Sequence, residues 1–146
     1  MTQLPTAPIK LKLITTITQP DEKPEVIELW STGTIMRKRD QVYIQYEEVL
    51  EEHKMKTTLR FGHTDAIIMR NGDIKMRLPF VLDALQRGHY EAAFGTIPLL
   101  THTKKMTFKE AADGSNNGEF FIQYDMIIDD KIVGDYQLEF TYSEGI

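Results

Sequence analysis

The sequence predicts an all-β domain, an antiparallel barrel or sandwich, and three observations predict it. Apolar side chains recur at every second position through most of the segments that carry them, which is the mark of a half-buried strand. Those segments are filled by valine, isoleucine, threonine and aromatic residues, which suit a pleated surface. Turn residues interrupt them at short, even intervals, the spacing of small antiparallel all-β folds. Composition agrees: 146 residues, 41% hydrophobic and 27% charged, is an ordinary globular balance, and at this length one compact core is the default. No internal repeat, low-complexity tract or linker breaks the chain, so residues 1–146 read as a single domain.

The elements follow in order. Ile9, Leu11 and Leu13 alternate with Lys10 and Lys12, and Gln19-Pro20-Asp21 closes that strand with a turn. Arg39-Asp40 marks the next turn. Glu47 to Glu52 places four glutamates around Val49 and Leu50 and reads as a loop or bulged strand. Met55, Leu59 and Phe61 alternate with Lys54, Lys56, Thr58 and Arg60. Asn71-Gly72 is the preferred dipeptide of a two-residue hairpin loop, and centring the loop there opposes Met69 to Ile74 and Ile67 to Met76. Pro79 to Gly88 is the one stretch with helical spacing, through Val81, Leu82 and Leu85, and predicts a turn or two of helix ending near Gly88. Asp113 to Gly118 reads as a polar turn. Phe120, Ile122, Tyr124, Met126 and Ile128 share one parity, and Tyr136, Leu138, Phe140 and Tyr142 another. A three-residue loop, Asp129 to Lys131, opposes Tyr124 to Tyr136, Ile122 to Leu138 and Phe120 to Phe140, keeping apolar against apolar.

Several chemistries find no footing in the residues. Without cysteine there is no disulfide, zinc–thiolate site or thiol nucleophile. The four histidines, His53, His63, His89 and His102, show none of the spacings that bring two imidazoles onto one metal. No Gly-x-Ser-x-Gly elbow and no glycine-rich phosphate loop occurs. Asp113 to Gly118 lacks the alternating oxygen ligands of a calcium loop, and the carboxylate pairs Asp129-Asp130 and Glu51-Glu52 read as solvated turn charges. No metal or cofactor is therefore expected. Formal net charge is -5, concentrated after residue 73, which argues against nucleic acid as a partner. The basic strips around Arg37 to Arg39, Lys54 to Arg60 and Lys104 to Lys109 read as solvated strand charges. No apolar run reaches the about 18 residues that span a bilayer, and Pro5 and Pro8 interrupt the N-terminus. The expectation is a cytoplasmic protein with no membrane partner.

What remains is an interior. Trp30, Tyr43, Tyr46, Phe61, Phe94, Tyr124, Tyr136 and Phe140 are expected to build it or to wall a cavity. His102 and Lys104 share parity with Leu100, Met106 and Phe108. Two polar groups on an inward face need partners or water, so they read either as anchors inside a cavity or as residues reaching solvent at a barrel mouth.

Particular strings also resemble a known family. They are Ser31-Thr-Gly-Thr-Ile35, Gln41-Val-Tyr-Ile-Gln-Tyr-Glu-Glu48, Ile67-Ile-Met-Arg-Asn-Gly-Asp-Ile-Lys-Met76 and Leu100-Thr-His-Thr-Lys-Lys-Met106. With Gly118 through Tyr124 and the closing Thr141-Tyr142, they resemble, in order and over nearly the whole chain, the uncharacterised YwiB-like bacterial family. The chain departs from that pattern over Leu78 to Tyr90, where Val81 through Arg87 separate Phe80 from Gly88. The resemblance implies a calycin-like, lipocalin-like up-and-down barrel of about eight to ten strands with at most one short helix. It carries no catalytic residues. Of three readings, a binding module ranks first, holding a small apolar or amphipathic ligand against Trp30, Tyr46, Phe61, Met76, Phe94, Tyr124 and Tyr136, with His102 or Lys104 as anchor. An interaction or structural protein acting as a homodimer ranks second. A hydrolase or isomerase centred on His102 ranks third.

Overall fold

The structure, a computed structural model, describes residues 6–50 and 52–145; Glu51 of the Glu51-Glu52 pair lies outside them. The described residues contain no helix. Their ten strands are β1 (Thr6–Thr18), β2 (Glu25–Lys38), β3 (Gln41–Leu50), β4 (His53–Phe61), β5 (Asp65–Gly72), β6 (Lys75–Val81), β7 (Leu85–Ala92), β8 (Gly95–Glu110), β9 (Gly118–Ile128) and β10 (Lys131–Glu144). Each pairs antiparallel with its neighbour in sequence, and β1 pairs with β10, so the ladder closes into a barrel. Closure gives every strand two neighbours, although β3 covers only Gly33–Lys38 of β2 and β7 only Lys75–Arg77 of β6. The period-two sets behave as expected: Ile9, Leu11 and Leu13 point inward from β1, Met55, Leu59 and Phe61 from β4, and Phe120, Ile122 and Tyr124 from β9. Phe140, on β10, is also buried, whereas Tyr43 faces outward, its hydroxyl 3.2 Å from Gln41 Oε1.

Glu47 to Leu50 continues β3 in unbroken register with β4 rather than forming a loop or bulge, and three further local expectations are corrected. The stretch Pro79 to Gly88 forms no helix: β6 ends at Val81 and β7 begins at Leu85. The tight turn between them carries Asp83 at φ 60° and a bond from Ala84 N to Val81 O of 3.1 Å. Leu82 and Leu85, which would have buried a helix face, are exposed, whereas Leu78 and Phe80 fill the barrel at strand spacing. Burial at period two outweighs the local helical pattern.

The Asn71-Gly72 loop is the second correction. Both residues continue β5 along β4, with Gly72 opposite Met55. The β5–β6 register opposes Arg70 to Met76 and Ile68 to Leu78, so the connection is longer than two residues. Gly72 sits at φ 150°, and a Cβ there would lie 2.3 Å from Lys54 O. The glycine serves a close strand approach rather than a primed turn.

The last hairpin opposes Tyr124 to Tyr136, Ile122 to Leu138 and Phe120 to Phe140, as expected. Its loop is nevertheless two residues, Asp129 and Asp130, both at positive φ, with Ile128 opposite Lys131. A bulge between Ile132 and Gly134 absorbs the extra residue and restores the apolar register.

Candidate ligand cavity

The two ends of the barrel are filled differently. At the end that holds the β2–β3 and β8–β9 turns, Phe61 packs edge-on against Phe108 at 4.3 Å between ring centroids and stacks on Phe120 at 4.8 Å. Tyr142 is buried beside Gly118. The β8–β9 connection is tied to β10 by Asn116 N donating to Glu144 Oε1 (2.9 Å) and Glu144 N donating to Asn117 Oδ1 (3.0 Å). Within it Asp113 Oδ1 accepts from Ser115 N and Oγ, a polar turn whose bonds hold the Asp113 carboxyl below its usual range.

At the opposite end the side chains leave a cavity of about 510 Å³. Its wall is mostly aliphatic, with Leu13, Leu78, Leu99 and Leu138 among its residues and Met76, Met126, Tyr124 and Tyr136 beside them. Tyr124 and Tyr136 stack at 5.2 Å, and burial pushes both phenols up, aided for Tyr124 by Tyr136 and for Tyr136 by Glu25. Val26, Ile27, Val49, Phe94 and Ile132 are exposed on the strands and hairpins that frame the mouth.

Polar groups cluster on the β3–β5 wall of this space. Tyr46, Thr57 and Arg70 are opposed across β3, β4 and β5. Glu48 lies two residues beyond Tyr46 and therefore shares its face. Glu48 is only 4% exposed, and its Oε2 is 3.4 Å from Arg70 Nε. Its Oε1 and the Thr57 hydroxyl, both buried, have no hydrogen-bond partner among the described residues. Burial raises the Tyr46 phenol above its ordinary range; Glu48 adds to that shift and Arg70 opposes it.

The sequence-predicted lining divides accordingly. Met76, Tyr124 and Tyr136 line the cavity, and Tyr46 borders a neighbouring void of about 20 Å³ with Thr57 and Arg70. Phe61 is interior but belongs to the packed end. Trp30 is 68% exposed on the outer wall, where the Lys12 ammonium lies 4.6 Å from its ring centroid. On β2 it is Ile27, Leu29 and Ile35 that face inward, and Trp30 has the other parity. Phe94 is 73% exposed in the β7–β8 turn, stacked on Tyr90.

His102 and Lys104 point outward. Leu99, Thr101 and Thr103 are the inward residues at the start of β8, and a bulge between Thr103 and Lys105 switches parity so that Met106 and Phe108 face inward after it. An unrecognised bulge shifts every later assignment by one. Lys104 instead reaches Asp125 Oδ1 at 3.0 Å and Asp135 on the outer face. Partial burial opposes its charge, but the two carboxylates outweigh that and raise its pKa. Thr101, fully buried, donates to the Pro79 carbonyl.

Glu48 and Arg70 carried a signal that the sequence reading passed over. Each extends an inward set, Val42-x-Ile44-x-Tyr46-x-Glu48 and Ala66-x-Ile68-x-Arg70. The other marked groups lie elsewhere. His53 sits at the start of β4, 3.6 Å from Asp73, and no cluster of three metal-ligating side chains occurs among the described residues.

Comparison with known proteins places the chain. It is 30% identical over 132 residues to the uncharacterized beta-barrel protein YwiB of Bacillus subtilis (strain 168), covering 90% of this chain and 91% of that protein. The crystal structure of the Bacillus subtilis ywiB protein superposes with a TM-score of 0.85 at 30% identity, over 97% of this chain and 94% of the other. The family model described as a domain of unknown function, DUF1934, matches residues 11–140, and the chain belongs to that family.

Proposed function

We propose that this barrel is a binding protein that holds one small apolar or amphipathic molecule in its open half. The carrying observation is the cavity itself. Its volume of about 510 Å³ lies in the range of small-molecule sites, roughly 300–1,000 Å³, and such sites combine an apolar wall with a few placed polar groups. Here the polar groups are Glu48, Arg70 and Thr57 on the β3–β5 wall, in place of the His102 and Lys104 anchor expected from the sequence. The packed end gives the ligand space a floor, and the exposed apolar residues at the mouth give it an entrance. A homodimer would have a foothold in the Glu25–Thr32 edge of β2 that β3 leaves unpaired, but the cavity favours a small ligand, and no observation favours an enzyme centred on His102, which faces away from the cavity.

The test is binding of an environment-sensitive apolar dye to the full chain and to Met126→Trp, which fills the open half with a larger ring. Saturable, one-to-one dye binding that Met126→Trp abolishes while retaining a cooperative melt is the expected result. Absent binding, or binding unchanged in Met126→Trp, contradicts the proposal.

A further inference from the structure

We infer that the cavity selects its occupant by head group, taking a neutral group that donates and accepts hydrogen bonds, such as an alcohol or primary amide, on an apolar tail. This rests on the cavity reading above and specifies it.

Four observations converge. Glu48 is only 4% exposed, lines the cavity, and has one carboxylate oxygen without a partner among the described residues. A buried acceptor left unmade carries the full desolvation penalty, and a donor on the ligand would relieve it. Second, the other Glu48 oxygen faces the Arg70 guanidinium at 3.4 Å, so the pair sums to zero charge. A carboxylate head would sit against Glu48, and an ammonium head against Arg70. Either leaves a net charge in a space walled by hydrocarbon, where charge interactions are strong and desolvation is costly. A neutral donor leaves the pair balanced.

Third, the buried Thr57 hydroxyl is also unpartnered and borders, with Tyr46 and Arg70, a small void of about 20 Å³ that shares Leu13, Ile68, Arg70 and Leu138 with the cavity wall. A hydroxyl can donate to a ligand oxygen while that ligand donates to Glu48. Fourth, the adjacent β1–β2 and β9–β10 turns at the mouth are exposed and carry Asp21, Glu22, Asp129 and Asp130 against Lys23 and Lys131. That acidic excess disfavours an approaching anion, an effect that salt screens.

The experiment is calorimetric titration of the full chain with decanol, decanoate and decylamine, which share one tail and differ in head group. Decanol binding at least tenfold tighter than both ions is the expected result. Equal affinities, or a tighter ion, overturn the head-group inference while leaving the cavity reading standing, because a ligand has bound. If none of the three binds, both fall. Glu48→Gln provides the second arm. It removes the negative charge and frees Arg70, so decanoate should gain at least tenfold relative to decanol. An unchanged ranking in a folded Glu48→Gln protein contradicts the inference, and if that variant does not fold the wild-type ranking decides.

Discussion

One barrel carries two interiors. At the packed end Phe61, Phe108 and Phe120 interlock and Tyr142 is buried to 2% exposure. At the open end the same period-two alternation leads into a cavity bounded by leucines, methionines and stacked tyrosines. The backbone rule is identical in both halves. The difference lies in side-chain volume and in the polar residues that the open half tolerates. Rings from β4, β8 and β9 meet across the packed end, whereas at the other end Glu48 and Arg70 occupy inward positions. Stability and recognition are thus divided along the barrel axis, and each half can be perturbed separately.

The largest expected effect is at the packed end. Phe61→Ala removes a ring that is 1% exposed and should cost about 3–5 kcal/mol in denaturant unfolding, the range for large-to-small changes in full cores. Met126→Ala at the open end should cost less than half of that, because its side chain already faces empty space and loses fewer contacts. Equal losses would show that the open half is as tightly filled as the other.

Next is the buried pair. Arg70→Met leaves Glu48 uncompensated and should cost about 2–3 kcal/mol, somewhat below the usual figure for a buried pair because Arg70 is partly exposed. Glu48→Leu combined with Arg70→Met should return to within about 1 kcal/mol of wild type, since replacing both partners by apolar groups is often neutral. A double variant no better than the single would mean that the pair itself holds the open half together.

The smallest effect concerns pH. Burial pushes the Tyr142 phenol up to about 12 from an ordinary 10.0, with Glu110 adding to the shift and Arg37 opposing it. A raised folded-state pKa means that the unfolded chain gives up the proton first. The stabilisation is therefore complete below pH 10 and is lost as pH rises from there towards 12. Tyr142→Phe removes a buried hydroxyl that lacks a partner among the described residues. It should leave neutral-pH stability unchanged or slightly raised, and shallow the alkaline decline. An alkaline unfolding profile unaltered by the substitution would assign that decline to other groups.

Much of this architecture is legible in the sequence, because strand alternation is a local property and a half-buried sheet enforces it. The residues of β1, β4, β9 and β10 fall on the faces their parity assigns. The errors in β8 and at Asn71-Gly72 share one physical origin. A bulge or a register change is decided by contacts between strands, and it reverses inside and outside for every residue beyond it. The bulge at Thr103 to Lys105 moved His102 and Lys104 out of the barrel, and the extended β5 pairing removed the Asn71-Gly72 loop. Trp30 and Phe94 show the second limit: large rings suggest a core, yet parity and a turn position place both in solvent. Glu48 and Arg70 show the converse, since the alternation that placed Ile44 and Ile68 inside also reached two charges.

Methyl-detected NMR during titration with decanol tests the division of the barrel most directly. Saturable shifts should appear on Leu13, Leu78, Leu99 and Ile128 at the open end and be absent from Ile9, Ile35, Ile44 and Ile122 beyond it. Shifts spread evenly over both sets, or none at saturating decanol, would contradict a ligand cavity confined to the open half.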